Sequence, residues 1–241
     1  MSRHSKWSKV KQFKGAIDAK RSASFTKLAR EITVAAKEGG GGDPNMNMRL
    51  RVAIDHAKKA SMPKDSIERA IQRGSGSGTE GQLESLVYEA YAPGGTALIT
   101  ECVTDSRNRT SNDVKRLLSK SGATLASAGS VTYLFDHKGT VHIPGGLPAD
   151  RREETELALI DAGADDIKDE ESAVLIHSAP QDLARVANAV EKMGLAVETA
   201  EMEWLPKMLV ETDEVNGTAL DELIDALEGL DDVSRVYTNA A

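Results

Sequence analysis

Apolar residues recur at helical spacing through the first third of the chain. Phe25, Leu28, Ala29, Ile32 and Ala36 form one stripe, with Lys27, Arg30 and Lys37 on the opposite face. Ser24 is placed to cap this helix, and Gly39 to Gly42 end it, because glycine tolerates a left-handed turn. Asp43-Pro44 opens a second helix with Leu50, Ala53, Ile54 and Ala57 inward. Pro63 opens a third, with Ile67, Ala70 and Ile71 inward and Gly74 as its stop. The segment 74–81, GSGSGTEG, has the composition of a flexible linker and marks a domain boundary.

Beyond the linker the period changes. Residues 84–91 and 96–104 read as strands around a Pro93-Gly94-Gly95 turn. A helix follows, with Val114, Leu117 and Leu118 inward and Gly122 as its stop, and then a strand over 130–135. Residues 139–203 spell strand, helix, strand, strand, helix, strand, the ferredoxin-like order. The clearest of these helices is 181–193, with Leu183, Val186, Ala187 and Val190 on one face. The chain continues with a strand over 207–211, a helix over 217–229 and a strand over 233–238. Joining β-α-β from 96–135 to β-α-β from 207–238 makes a second ferredoxin-like unit. The predicted fold is α+β: an N-terminal three-helix domain (1–77), then a discontinuous ferredoxin-like domain (78–136 plus 205–241) with another (137–204) inserted in it.

Charge changes the picture. The 241 residues carry a formal net charge of -8, which taken alone argues against a polyanionic partner. Residues 1–75, however, hold 17 Lys+Arg against 7 Asp+Glu, a net of +10, so the remainder carries -18. A chain split this way attracts polyanions at one end and repels them, or meets basic proteins, at the other. No apolar run is long enough to span a membrane, and the first residues lack the apolar stretch of a secretory signal, so a cytoplasmic location is expected.

The basic segment HSKWSKVKQFKGAIDAKR, residues 4–21, carries Lys6, Lys9, Lys11, Lys14, Lys20 and Arg21 interleaved with Trp7 and Phe13. Lysine and arginine neutralise phosphates and release counterions, and aromatic rings stack on bases. With Lys27 and Arg30 further along, these residues are the expected nucleic-acid contacts. The bland alternative is a solvated charged face with Trp7 packed on the helical region. A second basic group, Arg107, Arg109, Lys115 and Arg116, sits at a strand end and helix start, where backbone amides also favour an anion. A simple capped turn explains that group equally well. No base-reading helix stands out, and no RRM-type aromatic sequence appears on the later strands. Backbone-dominated recognition is therefore expected, of DNA or of RNA.

Other chemistry is thinly represented. Gly76-x-Gly78-x-x-Gly81 matches a dinucleotide fingerprint in letters, but it follows a helix and precedes a strand, the reverse of the required order. The five histidines are scattered, and His137 with His142 has no neighbouring ligands, so no metal site and no cofactor is expected. The single cysteine, Cys102, reads as a small buried hydrophobe. The acidic clusters Asp165-Asp166, Asp169-Glu170-Glu171 and Glu198/Glu201/Glu203 read as solvated faces or a surface for basic proteins. No Ser-His-Asp set or paired catalytic carboxylates emerge, and the chain is not expected to be an enzyme. A small-molecule sensor, with a ligand held between paired ferredoxin-like sheets, is the remote alternative.

HSKW at 4–7, DAKR at 18–21, FTKL at 25–28, REITVAAKEGGG at 30–41, MPKDSIERAI at 62–71, YEAYAPGGTALITECVTDSRNRT at 88–110 and GSVTYLFDHKG at 129–139 resemble the YebC/PmpR family, in its order and over nearly the whole chain. The resemblance implies three domains in a crescent and a bacterial cytoplasmic location. Bacterial members are labelled probable transcriptional regulators that bind DNA. Mitochondrial relatives act as translational activators, and some bacterial relatives are associated with ribosomes and proline-rich translation. This chain departs from the family at Lys11-Gln12-Phe13-Lys14 and Ser22-Ala23-Ser24, where members are more basic, and at Met48, where proline is common.

Overall fold

The computed structural model describes residues 21–38, 41–76, 83–170 and 172–241. Three helices come first: α1 (Arg21–Glu38), α2 (Met48–Lys59) and α3 (Lys64–Gly74). The helix expected to open at Asp43-Pro44 begins later, at Met48. Asn47 is its cap, with Oδ1 accepting from the Leu50 amide at 3.0 Å. The Asn47 amide group also donates to the carbonyls of Ala35 (2.8 Å) and Gly41 (2.9 Å), tying the start of α2 to the end of α1. This buried side chain thus has its polar atoms satisfied.

The rest is two four-stranded antiparallel sheets with helices, the α+β fold that the pattern predicts. One sheet is built from β1 (Glu84–Tyr91), β2 (Ala97–Thr104), β3 (Thr124–Leu125) and β8 (Val233–Thr238), in the order β3-β1-β2-β8, with helices α4 (Arg107–Lys120) and α7 (Glu214–Glu228). The other is built from β4 (Phe135–Pro144), β5 (Ala164–Glu170), β6 (Ala173–Ser178) and β7 (Thr199–Pro206), in the order β5-β6-β4-β7, with α5 (Arg152–Asp161) and α6 (Leu183–Lys192). The second sheet has the ferredoxin-like strand order and connection. The first has the same arrangement of strands with its connections reordered.

The reordering corrects two expected strands. Residues 130–135 form a turn running into β4, and of 207–211 only Val210 makes a bridge, to Ala240. Their places in the sheet are taken by β3 and by β1, the latter paired to β2 residue for residue from Glu84↔Thr104 to Tyr91↔Ala97. The turn between them holds Gly94 at φ 84, a left-handed angle that glycine adopts without strain.

Contacts divide the described residues into two compact units. One gathers those up to Glu31 with Gly78–Asp136 and Leu205–Ala241, and the other gathers Ile32–Ser77 with His137–Trp204. In the first, Leu98 and Cys102 of β2 pack on Val114 and Leu118 of α4 and on Leu220, Leu223, Ile224 and Leu227 of α7. In the second, Val141, Ile143, Val174 and Ile176 of the sheet pack on Leu159 of α5 and Val186, Ala187 and Val190 of α6, with Met48 of α2 at the same core. Among the described residues no helix is long and apolar enough to cross a membrane.

Candidate nucleic-acid interface

Six expected contact residues, Lys6, Trp7, Lys9, Lys11, Lys14 and Lys20, lie outside the described residues, and Arg21 is described only as the first residue of α1. The structure gathers three of the other four around the loop between α7 and β8. Lys27 is exposed and donates to the carbonyl of Glu228 at the end of α7, where a cation offsets the partial negative charge of the last carbonyls. Arg30, one turn on, is mostly buried and its Nη2 donates to Asp232 Oδ1 at 3.1 Å. Arg109, near the start of α4, approaches the same carboxylate from the other side. Its Nη2 lies 2.9 Å from Asp232 Oδ2 and also 2.9 Å from Asp105 Oδ1.

Asp232 is the centre of this cluster. Besides the two arginines it accepts from the hydroxyls of Thr110 (2.7 Å) and Thr104 (3.2 Å). Burial works against its charged form. The hydrogen bonds from Thr110 and Arg109 and the charges of Arg30 and Arg109 outweigh burial and hold the carboxyl below the usual carboxylate range. For Arg30 the balance is reversed: desolvation outweighs the attraction of Asp232 and lowers its pKa. Its Nη1 is buried without a hydrogen-bond partner. Beside the cluster lies a cleft of about 480 Å³, rimmed by Thr26, Arg30, Arg109 and Asp231. Two guanidinium groups expected to meet phosphate thus already face a carboxylate within the protein. Arg107, at the first position of α4, is exposed.

A different set of cations is exposed. On α2 and α3, Lys58, Lys59, Lys64 and Arg69 are exposed. Lys58 meets Asp55 at 3.4 Å and Lys64 meets Glu68 at 3.5 Å, both neighbours on their own helix. Exposed pairs of this kind are worth between nothing and about 1 kcal/mol. They hold their lysines far more weakly than Asp232 holds Arg30. Sequence reading missed this set because it weighted the denser basic run of residues 4–21. The apolar stripes of α2 and α3 already fixed which side chains point outward.

Elsewhere the candidates resolve simply. Cys102 is buried, and burial pushes its thiol up to about 12, which leaves it protonated and unreactive. His137 stacks on Trp204 with ring centroids 4.3 Å apart. Among the described residues no group of His, Cys, Asp and Glu is arranged to hold a metal ion. Several acidic residues of the clusters are paired, Asp165 with Lys138 at 2.6 Å and Asp169 with Arg152 at 2.6 Å.

A cation-rich helical region and two antiparallel sheets, the second ferredoxin-like, define the class: an α+β protein with a basic helical N-terminal part. Residues 5–77 match the TACO1/YebC protein N-terminal domain, and residues 83–240 match the TACO1/YebC second and third domain, so the chain belongs to the TACO1/YebC family. It is 46% identical over 243 residues to a "Probable transcriptional regulatory protein" of Persephonella marina, covering 99% of this chain and 95% of that one. A protein of the same description from Herpetosiphon aurantiacus is 44% identical over 239 residues, covering 99% and 94%. Among solved structures, a conserved hypothetical protein from Aquifex aeolicus, Aq1575, superposes with a TM-score of 0.80 at 40% identity, covering 93% of this chain and 92% of that one.

Proposed function

We propose that the protein is a nucleic-acid-binding regulator of gene expression, and in the first instance a DNA-binding transcriptional regulator. Residues 1–77 serve as its binding domain. The observation that carries this reading is the separation of charge, +10 over residues 1–75 against -18 over the rest. The regulatory names of its relatives support it. So does the exposure of Lys58, Lys59, Lys64 and Arg69; the weak local pairs of Lys58 and Lys64 give way to phosphate at little cost. Contacts of this kind track the sugar-phosphate backbone and position the protein without reading sequence.

The test is a salt titration of binding with the full chain and its Lys9→Ala/Lys11→Ala/Lys14→Ala variant. If about six phosphates are neutralised, the logarithm of affinity falls against the logarithm of salt with a slope of about -5 on duplex, or about -4 on single strands. The triple variant should bind more weakly to every sequence alike, with a slope shallower by about 2 to 3. Equal binding by parent and variant at low salt would remove the basic segment from the interface. A second reading, contact with structured RNA or the ribosome in translation, is favoured by the exposed tyrosine pair described next. Ribosome comigration of the protein in a gradient, lost on raising salt, separates it from promoter-specific footprints.

A further inference from the structure

The chain has only four tyrosines, and two of them, Tyr91 and Tyr133, meet beside the end of β1 in the first unit. Tyr133 is 63% exposed and Tyr91 36%. They are held there by a demanding piece of construction. Glu89, two residues before Tyr91 on the same face of β1, is buried at 5% exposure. Its carboxylate accepts from three backbone amides of the following loop: Gly129 at 2.6 Å, Val131 at 2.5 Å and Thr132 at 2.9 Å. Burial opposes the charge, but the three amides outweigh it and keep the carboxyl below its usual range. The Tyr91 hydroxyl donates to the Ser130 carbonyl at 2.6 Å, a fourth tie between β1 and the loop.

These four bonds fix residues 129–132 and therefore fix Tyr133, the next residue. On its other side, the Lys207 amide donates to the Leu134 carbonyl at 2.9 Å. The Lys207 ammonium donates to the carbonyl of Tyr133 itself at 3.0 Å. Asp136 lies 3.5 Å from that ammonium and is half exposed, so the lysine keeps one of its three N–H groups for a further anion. A loop whose backbone is already tied down need not be ordered when a ligand arrives, which removes that part of the cost of binding.

The geometry points to an unpaired nucleobase as the ligand of the Tyr91–Tyr133 pair, stacked on the exposed ring with its flanking phosphate at the Lys207 ammonium. This inference rests on the nucleic-acid reading above and specifies single-stranded nucleic acid as the substrate class. A flat π-face beside an ammonium suits a base and its phosphate, because every base presents such a face and every nucleotide carries such a charge. A paired base in a duplex has no face to offer.

The experiment is fluorescence anisotropy of the full chain with oligouridylate, oligothymidylate and a duplex, repeated over a range of salt. Tyr133→Ala should weaken single-strand binding about 5- to 150-fold, the value of one stacked base, with an unchanged salt slope and little effect on duplex. Tyr133→Phe should bind like the parent, since the ring is retained. Lys207→Ala should instead flatten the salt slope by about one phosphate. Photocrosslinking to 5-bromouridine in the oligonucleotide should label a peptide containing Tyr91 or Tyr133, independently of any affinity change.

If the parent binds the oligonucleotides and Tyr133→Ala binds equally, with crosslinks elsewhere, the pair is not a base platform and the nucleic-acid reading stands without it. If Tyr133→Ala loses association with a protein while keeping the oligonucleotide, the pair is a protein surface and the inference is overturned. If the parent binds neither single strand nor duplex, both readings fall together.

Discussion

Asp232 shows how one side chain can decide what its neighbours are available for. Its two oxygens are shared among Arg30, Arg109, Thr104 and Thr110, and every one of these partners belongs to the first unit. An arginine that is mostly out of water gains most of its stabilisation from such a partner, and removing the partner leaves a charge stranded. Asp232→Ala should therefore destabilise the first unit by about 3 kcal/mol, read as a lower denaturation midpoint in urea. Asp232→Asn keeps the hydrogen-bond acceptor and should cost less. A midpoint unchanged by Asp232→Ala would mean that Arg30 reaches water instead. Nothing in the sequence around Leu230-Asp231-Asp232-Val233 signals this role. The carboxylate's partners come from α1, β2 and α4, more than a hundred residues away, and single-sequence patterns carry no information at that range. The same holds for Glu89, which reads as one more polar position in an alternating strand.

At the level of elements, the helices and most strands were legible because their apolar periods are local. α4, α6 and α7 bury the faces that spacing marked out, and β1, β2 and β8 fall where alternation and turns put them. The two strands that failed did so for long-range reasons. Residues 129–132 give three amides to Glu89 that a strand would give to a ladder, so they close into a turn. Residues 207–211 have strand-like composition, but β1 already fills the sheet position, and Met208 and Leu209 are left exposed. The candidate interface reads in the sequence as charge and not as geometry: the sequence shows where lysines concentrate, but not that Arg30 and Arg109 both pair with Asp232. Helix packing carries a prediction of its own. Where α3 meets α1, a Cβ on Gly74 would sit 2.2 Å from the carbonyl oxygen of Thr33 and 2.7 Å from the Ala36 methyl. Backbone cannot yield as a flexible side chain can, so Gly74→Ala should cost about 1–3 kcal/mol, measurable by thermal denaturation. A variant as stable as the parent would show that the two helices separate freely.

For the whole molecule, the two units should respond differently to acid. In the second, His177 is buried beside Thr140, with Oγ1 and Nδ1 3.2 Å apart. Desolvation first, and then the charge of Lys168, lower its pKa from the ordinary 6.5. The unfolded chain thus takes up this proton before the folded one does. Its contribution is complete above about pH 6.5 and is lost as pH falls through the lowered folded value. In the first unit the depressed carboxyls are those of Asp232 and Glu89. Their contribution is present above about pH 4 and lost only below it. Hydrogen exchange followed by mass spectrometry should show β4 and β6 losing protection at a higher pH than β1 and β2. His177→Gln should remove the earlier loss, and simultaneous loss in both sheets would contradict the assignment. The interleaving of the units has a further consequence, for synthesis. Every segment of the second unit has been made once Trp204 is added, whereas β2 waits for β8, its antiparallel neighbour, until residues 233–238 have also been made. During that interval the backbone edge of β2 and the apolar faces destined for α7 have no native cover. A nascent chain halted in that window is the form of this protein most in need of a chaperone.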